Sequence, residues 1–160
     1  MKTITAIIVL LCIAVATTLA YHKIQYKWII YREAETLYKK KEYKKAIPYY
    51  TSLLKKSFRD HVVLSRLGEL YLAVSDLNNA RLIYEEILRS EPLNMQTRIT
   101  LADIYMRLGD YRKTINIYTM LLLSQPGNRH LHILMARALT AKGDFEDAIT
   151  HYRIALGENQ

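Results

Sequence analysis

Cysteine occurs once in this chain of 160 residues, at Cys12 inside an apolar run. No internal disulfide can form, and no thiol nucleophile is available to a site. The five glycines are dispersed, with Gly109 and Gly143 at turn positions, so no Gly-rich loop exists to cradle a phosphate. No serine sits in a G-x-S-x-G elbow. Of the five histidines, His22, His61, His130, His132 and His151, only His130 and His132 are close in sequence. Two residues apart on a helix they point to different faces, so they read as solvated surface residues and no metal site is expected. With no catalytic constellation, the chain is expected to be no enzyme and to take no cofactor.

Charge is missing as well, but only locally. From Ile4 to Ala20 there is none, and the uncharged stretch from Thr3 to Tyr21 is 19 residues. That approaches the roughly 20 residues that cross a bilayer core. Tyr21, Tyr26 and Trp28 follow where interfacial aromatic residues sit. A cleaved signal peptide is the alternative, because Ala14-Val15-Ala16 and Thr18-Leu19-Ala20 place small residues as a signal peptidase favours. No helix breaker follows the run, which supports an uncleaved anchor, and Leu11 before Cys12 argues against lipidation.

The net charge of +8 is concentrated beside this segment: residues 27–60 hold +6, against −2 for 61–94, +2 for 95–128 and 0 for 129–160. Lys23, Lys27, Arg32, Lys39, Lys40, Lys41, Lys44 and Lys45 follow the apolar run, so the positive-inside bias favours repeats on the cytoplasmic side of a single-pass anchor. A periplasmic or secreted location is the alternative. These lysines, with Lys55 and Lys56, read as solvated or close to anionic headgroups rather than as a nucleic-acid patch.

What the chain has in quantity is a period. Tyr50, Tyr84, Tyr118 and Tyr152 are spaced by 34 residues, and their surroundings recur in register. Four residues before each stand Ala46, Ala80, Thr114 and Ala148, small as crossing helices require. A second small column holds Ala34, Gly68, Ala102 and Ala136, each followed three residues later by a large residue: Leu37, Tyr71, Tyr105 and Leu139. Between the two helical stretches come Lys41-Glu42-Tyr43, Ser75-Asp76-Leu77, Gly109-Asp110-Tyr111 and Gly143-Asp144-Phe145, read as tight turns whose acidic residue caps the next helix.

Length and offsets resemble the tetratricopeptide repeat. The clearest unit, His61 to Asn94, offers Leu64, Leu67, Gly68, Tyr71, Ala80, Tyr84 and Pro92; the next offers Leu101, Ala102, Tyr105, Tyr118 and Pro126. The outer units depart from the pattern, with Glu33 for leucine, and Phe58 and Gln160 in the proline column. The resemblance implies an all-α fold, a tetratricopeptide-type α-solenoid forming a right-handed superhelix of helix-turn-helix repeats, preceded by a transmembrane helix. Residues 1–26 are the anchor and juxtamembrane segment; repeats occupy 27–60, 61–94, 95–128 and 129–160.

In this family the first helix of each repeat lines a concave groove. The matching positions here include Tyr31, Glu35, Tyr38, Glu69, Leu72, Ile99, Asp103, Met106, Ile133 and Arg137. Stacked carboxylates at Glu35, Glu69 and Asp103 among apolar neighbours suit a partner segment that is apolar and positively charged. The family's grip on a terminal carboxylate needs Lys at the fifth and Asn at the ninth position, and neither is present, so a segment laid along the groove is expected. A second contact patch is expected at Met120 and Leu123, which stand in columns otherwise polar: Ser52 and Glu86, Lys55 and Arg89. The last repeat ends without the usual polar capping helix, so its stacking face is expected either to tolerate exposure or to pair with a partner or a second copy. The function expected is a membrane-tethered scaffold that binds a protein or peptide, with no nucleic acid; the alternatives are a self-associating homo-oligomer and an exported soluble adaptor.

Overall fold

The computed structural model describes the backbone of residues 2–56 and 60–158, and their side chains except at 2–7, 23 and 55–56. Phe58 and Gln160 of the proline column, and the side chains of Lys2, Lys23, Lys55 and Lys56, lie outside the described residues. Eight helices are described and no strand is among them: α1 (Lys2–Lys39), α2 (Tyr43–Lys56), α3 (His61–Ala73), α4 (Leu77–Ser90), α5 (Met95–Arg107), α6 (Tyr111–Ser124), α7 (Arg129–Lys142) and α8 (Phe145–Leu156). They fall into two compact units, Met1–Val63 and Leu64–Gln160.

In the first unit the apolar run and the first repeat share one unbroken helix, α1, so no hinge separates them. Its described apolar part is bare: Leu10, Leu11, Ile13, Val15 and Leu19 are all more than half exposed. Helix α1 is long and apolar enough to cross a bilayer, and none of that window is covered by protein. Further along, Ala34 is buried against α2, where Ala46, Tyr50 and Leu53 are also buried.

The second unit repeats one packing rule. Ala80, Thr114 and Ala148 of one small column and Ala102 and Ala136 of the other are at most 2% exposed, so helix axes approach where side chains are smallest. Gly68 marks the tightest approach: a Cβ there would lie 2.9 Å from the Tyr84 ring. Thr114 keeps a hydroxyl in an alanine column because it donates to the carbonyls of Ala102 and Asp110, at 3.3 and 3.0 Å. Leu131, Met135, Ala138 and Leu139 of α7 join Ala102, Tyr118, Leu121 and Ala148 in one core cluster that crosses from the third repeat to the fourth.

The turns follow a shared backbone rule. Lys41 and Ser75 have φ of 60° and 59°, and Gly109 and Gly143, in the same column, have 79° and 97°. Every repeat thus reverses through a left-handed residue, comfortable for glycine and costly by about 1–2 kcal/mol for the other two. The acidic caps hold at Asp76 and Asp110, which accept from the N–H of Asn79 and Lys113, each at 3.2 Å. Asp144 departs from the expectation: it makes no side-chain cap bond, and its carboxylate is drawn to Lys142 instead. Asn94 and Asn128 cap α5 and α7 through the N–H groups of Thr97 and Leu131, a role that the period alone did not flag.

Candidate partner-binding surfaces

The first-helix positions are built differently in the two units. In the first, Tyr31 meets the Tyr50 ring edge-on at 6.4 Å, Tyr38 lies 5.9 Å from the Tyr43 ring, and Glu35 accepts a 2.5 Å hydrogen bond from the Tyr50 hydroxyl. All three are half-buried. In the second, Glu69, Asp103, Ile133 and Arg137 are exposed, and Leu72, Ile99 and Met106 are half-buried. Ile99 and Met106 pack on the core cluster from outside. Glu69 is held by Arg66 at 3.0 Å.

The tyrosine column and the acidic column are linked, by a hydrogen bond in the first repeat and through charge in the next two. Each acid precedes its tyrosine by 15 residues: Glu35 and Tyr50, Glu69 and Tyr84, Asp103 and Tyr118. Burial raises the Tyr84 hydroxyl's pKa and the Glu69 charge adds to this. Tyr118 is pushed up to about 12 by burial and then by Asp103, with Arg137 opposing. Tyr50 is thus a hydrogen-bond donor to its acid, while Tyr84 and Tyr118 are held neutral by burial and by the nearby carboxylate charge. In the fourth repeat Arg137 takes the acid's place.

A second network ties the second repeat to the third. Glu85 accepts from the Tyr105 hydroxyl at 2.6 Å and from Arg81 at 2.8 Å. Burial alone would raise the Glu85 carboxyl's pKa; hydrogen bonds from Tyr105 and Arg81, with the charges of Arg81 and Lys113, outweigh it and hold it below the usual range. Tyr105 is pushed up to about 12 by burial and by its bond to Glu85.

His132 and His151 overturn the sequence expectation, whereas His130 is exposed as expected. His132 is 6% exposed, not solvated, and its Nδ1 lies 2.8 Å from Nδ1 of half-buried His151. Its Nε2 lies 2.8 Å from the carbonyl of Pro126, which can only accept, so that nitrogen bears the hydrogen. His132 Nδ1 is then the acceptor and His151 Nδ1–H the donor. The signal was in the register: His132 stands in the column of Leu64, and His151 in that of Ile83 and Ile117. No group of three or more metal-ligating side chains occurs among the described residues.

Burial, and then the neighbouring His132, lower the His151 pKa, with Asp147 opposing. Below about pH 6.5 the unfolded chain takes up a proton that the folded chain resists, so stability falls with falling pH in that range. His151→Ile, which restores the residue of Ile83 and Ile117, is expected to flatten the decline of the melting temperature between about pH 7 and 5.5. An unaltered decline in circular-dichroism melts would show that the histidine pair is not responsible.

On the outer side of α6, Met120 is 50% and Leu123 80% exposed.

Comparison with known proteins agrees with this architecture. Among solved structures, MamA residues 41 to the end from Desulfovibrio magneticus RS-1 superposes with a TM-score of 0.68 at 12% identity, over 83% of this chain and 75% of that one. A crystal structure of MamA gives 0.66 at 16% identity, over 81% and 75%. MamA from MSR-1 gives 0.63 at 20%, over 83% and 76%. At such identities the likeness is one of fold. No protein of curated function matches the sequence. Two family models described as tetratricopeptide repeat match residues 71–137 and 131–159, together more than half of the chain. With the 34-residue period, the paired small columns and the helix-turn-helix units, they establish that the chain belongs to the tetratricopeptide-repeat family.

Proposed function

We infer that the protein is a membrane-tethered, non-enzymatic scaffold whose first-helix face recruits a partner protein or peptide. The observation that carries the tether is α1, whose bare apolar segment runs without a break into the first repeat. Tethering confines the repeats to a thin layer and raises their effective concentration for a partner at the same membrane. The basic flank of α1 favours the cytoplasmic side.

The recruiting face in the second unit offers Glu69, Asp103 and Arg137 around half-buried Leu72, Ile99 and Met106. Such a face suits a segment that alternates apolar and cationic side chains, and Tyr31, Glu35 and Tyr38 provide the corresponding positions of the first repeat. A photocrosslinker at Ile99 or Met106 is expected to label a discrete partner, and Glu69→Lys with Asp103→Lys to abolish that labelling. Labelling equal to that from Lys45, a site on the second helix of the first repeat, would sink the reading.

A further inference from the structure

A cleft of about 440 Å³ opens among α4, α5 and α6, and none of the first-helix positions Ile99, Asp103 and Met106 lines it. This volume lies within the usual span of ligand-binding clefts, about 300–1,000 Å³. Its walls are apolar, from Leu88, Leu101, Ile117 and Met120, and two cations, Arg98 and Lys113, line it with them. Arg98 stands in the register position that buried Leu64 fills one repeat earlier. An arginine thus replaces the leucine in a half-buried place, and its guanidinium has no hydrogen-bond or ion-pair partner among the described residues.

The other charges around the cleft are already matched. Lys113 meets Asp110 at 3.1 Å and lies over the Tyr105 ring at 4.8 Å. Glu85 of α4, half-buried, is held by Arg81 and Tyr105. What remains is one unmatched cation in an apolar cleft. A half-buried cation left unpaired is costly, and a carboxylate brought in by a ligand removes that cost.

We propose that this cleft docks an acidic amphipathic helix of a partner protein, its apolar side chains against Leu101, Ile117 and Met120 and a carboxylate on Arg98. Two features select a helix over a lipid surface. Met120 and Leu123 are spaced three apart on α6 and extend the apolar strip beyond the cleft, as a helical ligand with anchors every three or four residues requires. Lipid headgroup recognition draws on clusters of about 4–8 basic residues, whereas two line this cleft. The chemistry wanted here is opposite in sign to that of the first-helix face, so the two surfaces take different partners.

The test uses the full chain in detergent micelles and a fluorescein-labelled helical peptide of repeating Glu-Leu-Leu-Glu, read by fluorescence anisotropy. The probe should bind saturably, and its counterpart with every Glu replaced by Lys should not. Arg98→Gln and Met120→Asp should each weaken binding roughly tenfold or more, as loss of an interface anchor does. Helicity by circular dichroism should be unchanged, since Met120 is half exposed and Arg98 lines an open cleft rather than the core. Asp103→Lys, which disables the first-helix face, should leave the affinity as it was, so this proposal and the preceding reading fail separately. Equal binding of the lysine peptide, or undiminished binding by both Arg98→Gln and Met120→Asp, overturns the proposal. So does binding to vesicles of anionic lipid that Arg98→Gln weakens while the peptide stays unbound.

Discussion

Replacing Leu131 by alanine is expected to remove about 2–5 kcal/mol of stability, the range for truncating a fully buried leucine whose site cannot collapse. Leu131 has no exposed surface and packs in the cluster that joins Ala102, Tyr118 and Leu121 of the third repeat to Met135, Leu139 and Ala148 of the fourth. The neighbours are held by helices that already meet at alanine columns, so they cannot close inward on the void. In an array whose stability is a sum of repeat and interface contributions, the loss falls on one interface. The melt should therefore lose cooperativity as well as shift down, with α7 and α8 exchanging their amide hydrogens first. Leu93→Ala serves as the comparison, because Leu93 is 86% exposed and its truncation should change stability by no more than about 0.5 kcal/mol. Similar melts for the two variants would contradict the packing described.

Two arginines in the apolar part of α1, Leu11→Arg with Val15→Arg, are expected to move the protein from an alkali-resistant membrane pellet to the soluble fraction. Each arginine near the middle of a spanning helix costs about 2.5–3.5 kcal/mol on the insertion scale, and the two together exceed what a single 19-residue apolar run can spare. Both positions are exposed, so the repeats should fold unchanged and their helicity should persist. A wild-type protein that is itself soluble, or whose mature mass shows that residues 1–20 have been removed, would replace the tether with export.

The repeat architecture was legible because it rests on volume. Ala46, Ala80, Thr114 and Ala148 recur wherever two backbones approach, and a size requirement leaves the same mark in every unit. The turns were legible for a similar reason, since a left-handed residue followed by an acid is a local demand. What stayed hidden depends on which side chains meet across helices. Tyr105 reaches Glu85 from one repeat to the next, and neither residue is unusual within its own unit. Asp144 has the sequence of a cap but lies beside Lys142, which claims its carboxylate. The histidines were misread because their spacing was judged along one helix, while their pairing runs between α7 and α8. For Tyr50 and Glu35, the constant offset of 15 residues was available in the sequence, and it acquires meaning only once the helices are folded back on each other.

The two register positions that give Leu64 and Ile83 in the second repeat give Arg98 and Ile117 in the third and His132 and His151 in the fourth. One structural address thus serves as an apolar plug, an open basic socket and a proton-sensitive clasp, on a backbone that the small columns keep constant. The same pair of positions carries apolar, cationic and imidazole side chains in successive repeats, while the small columns around it stay small.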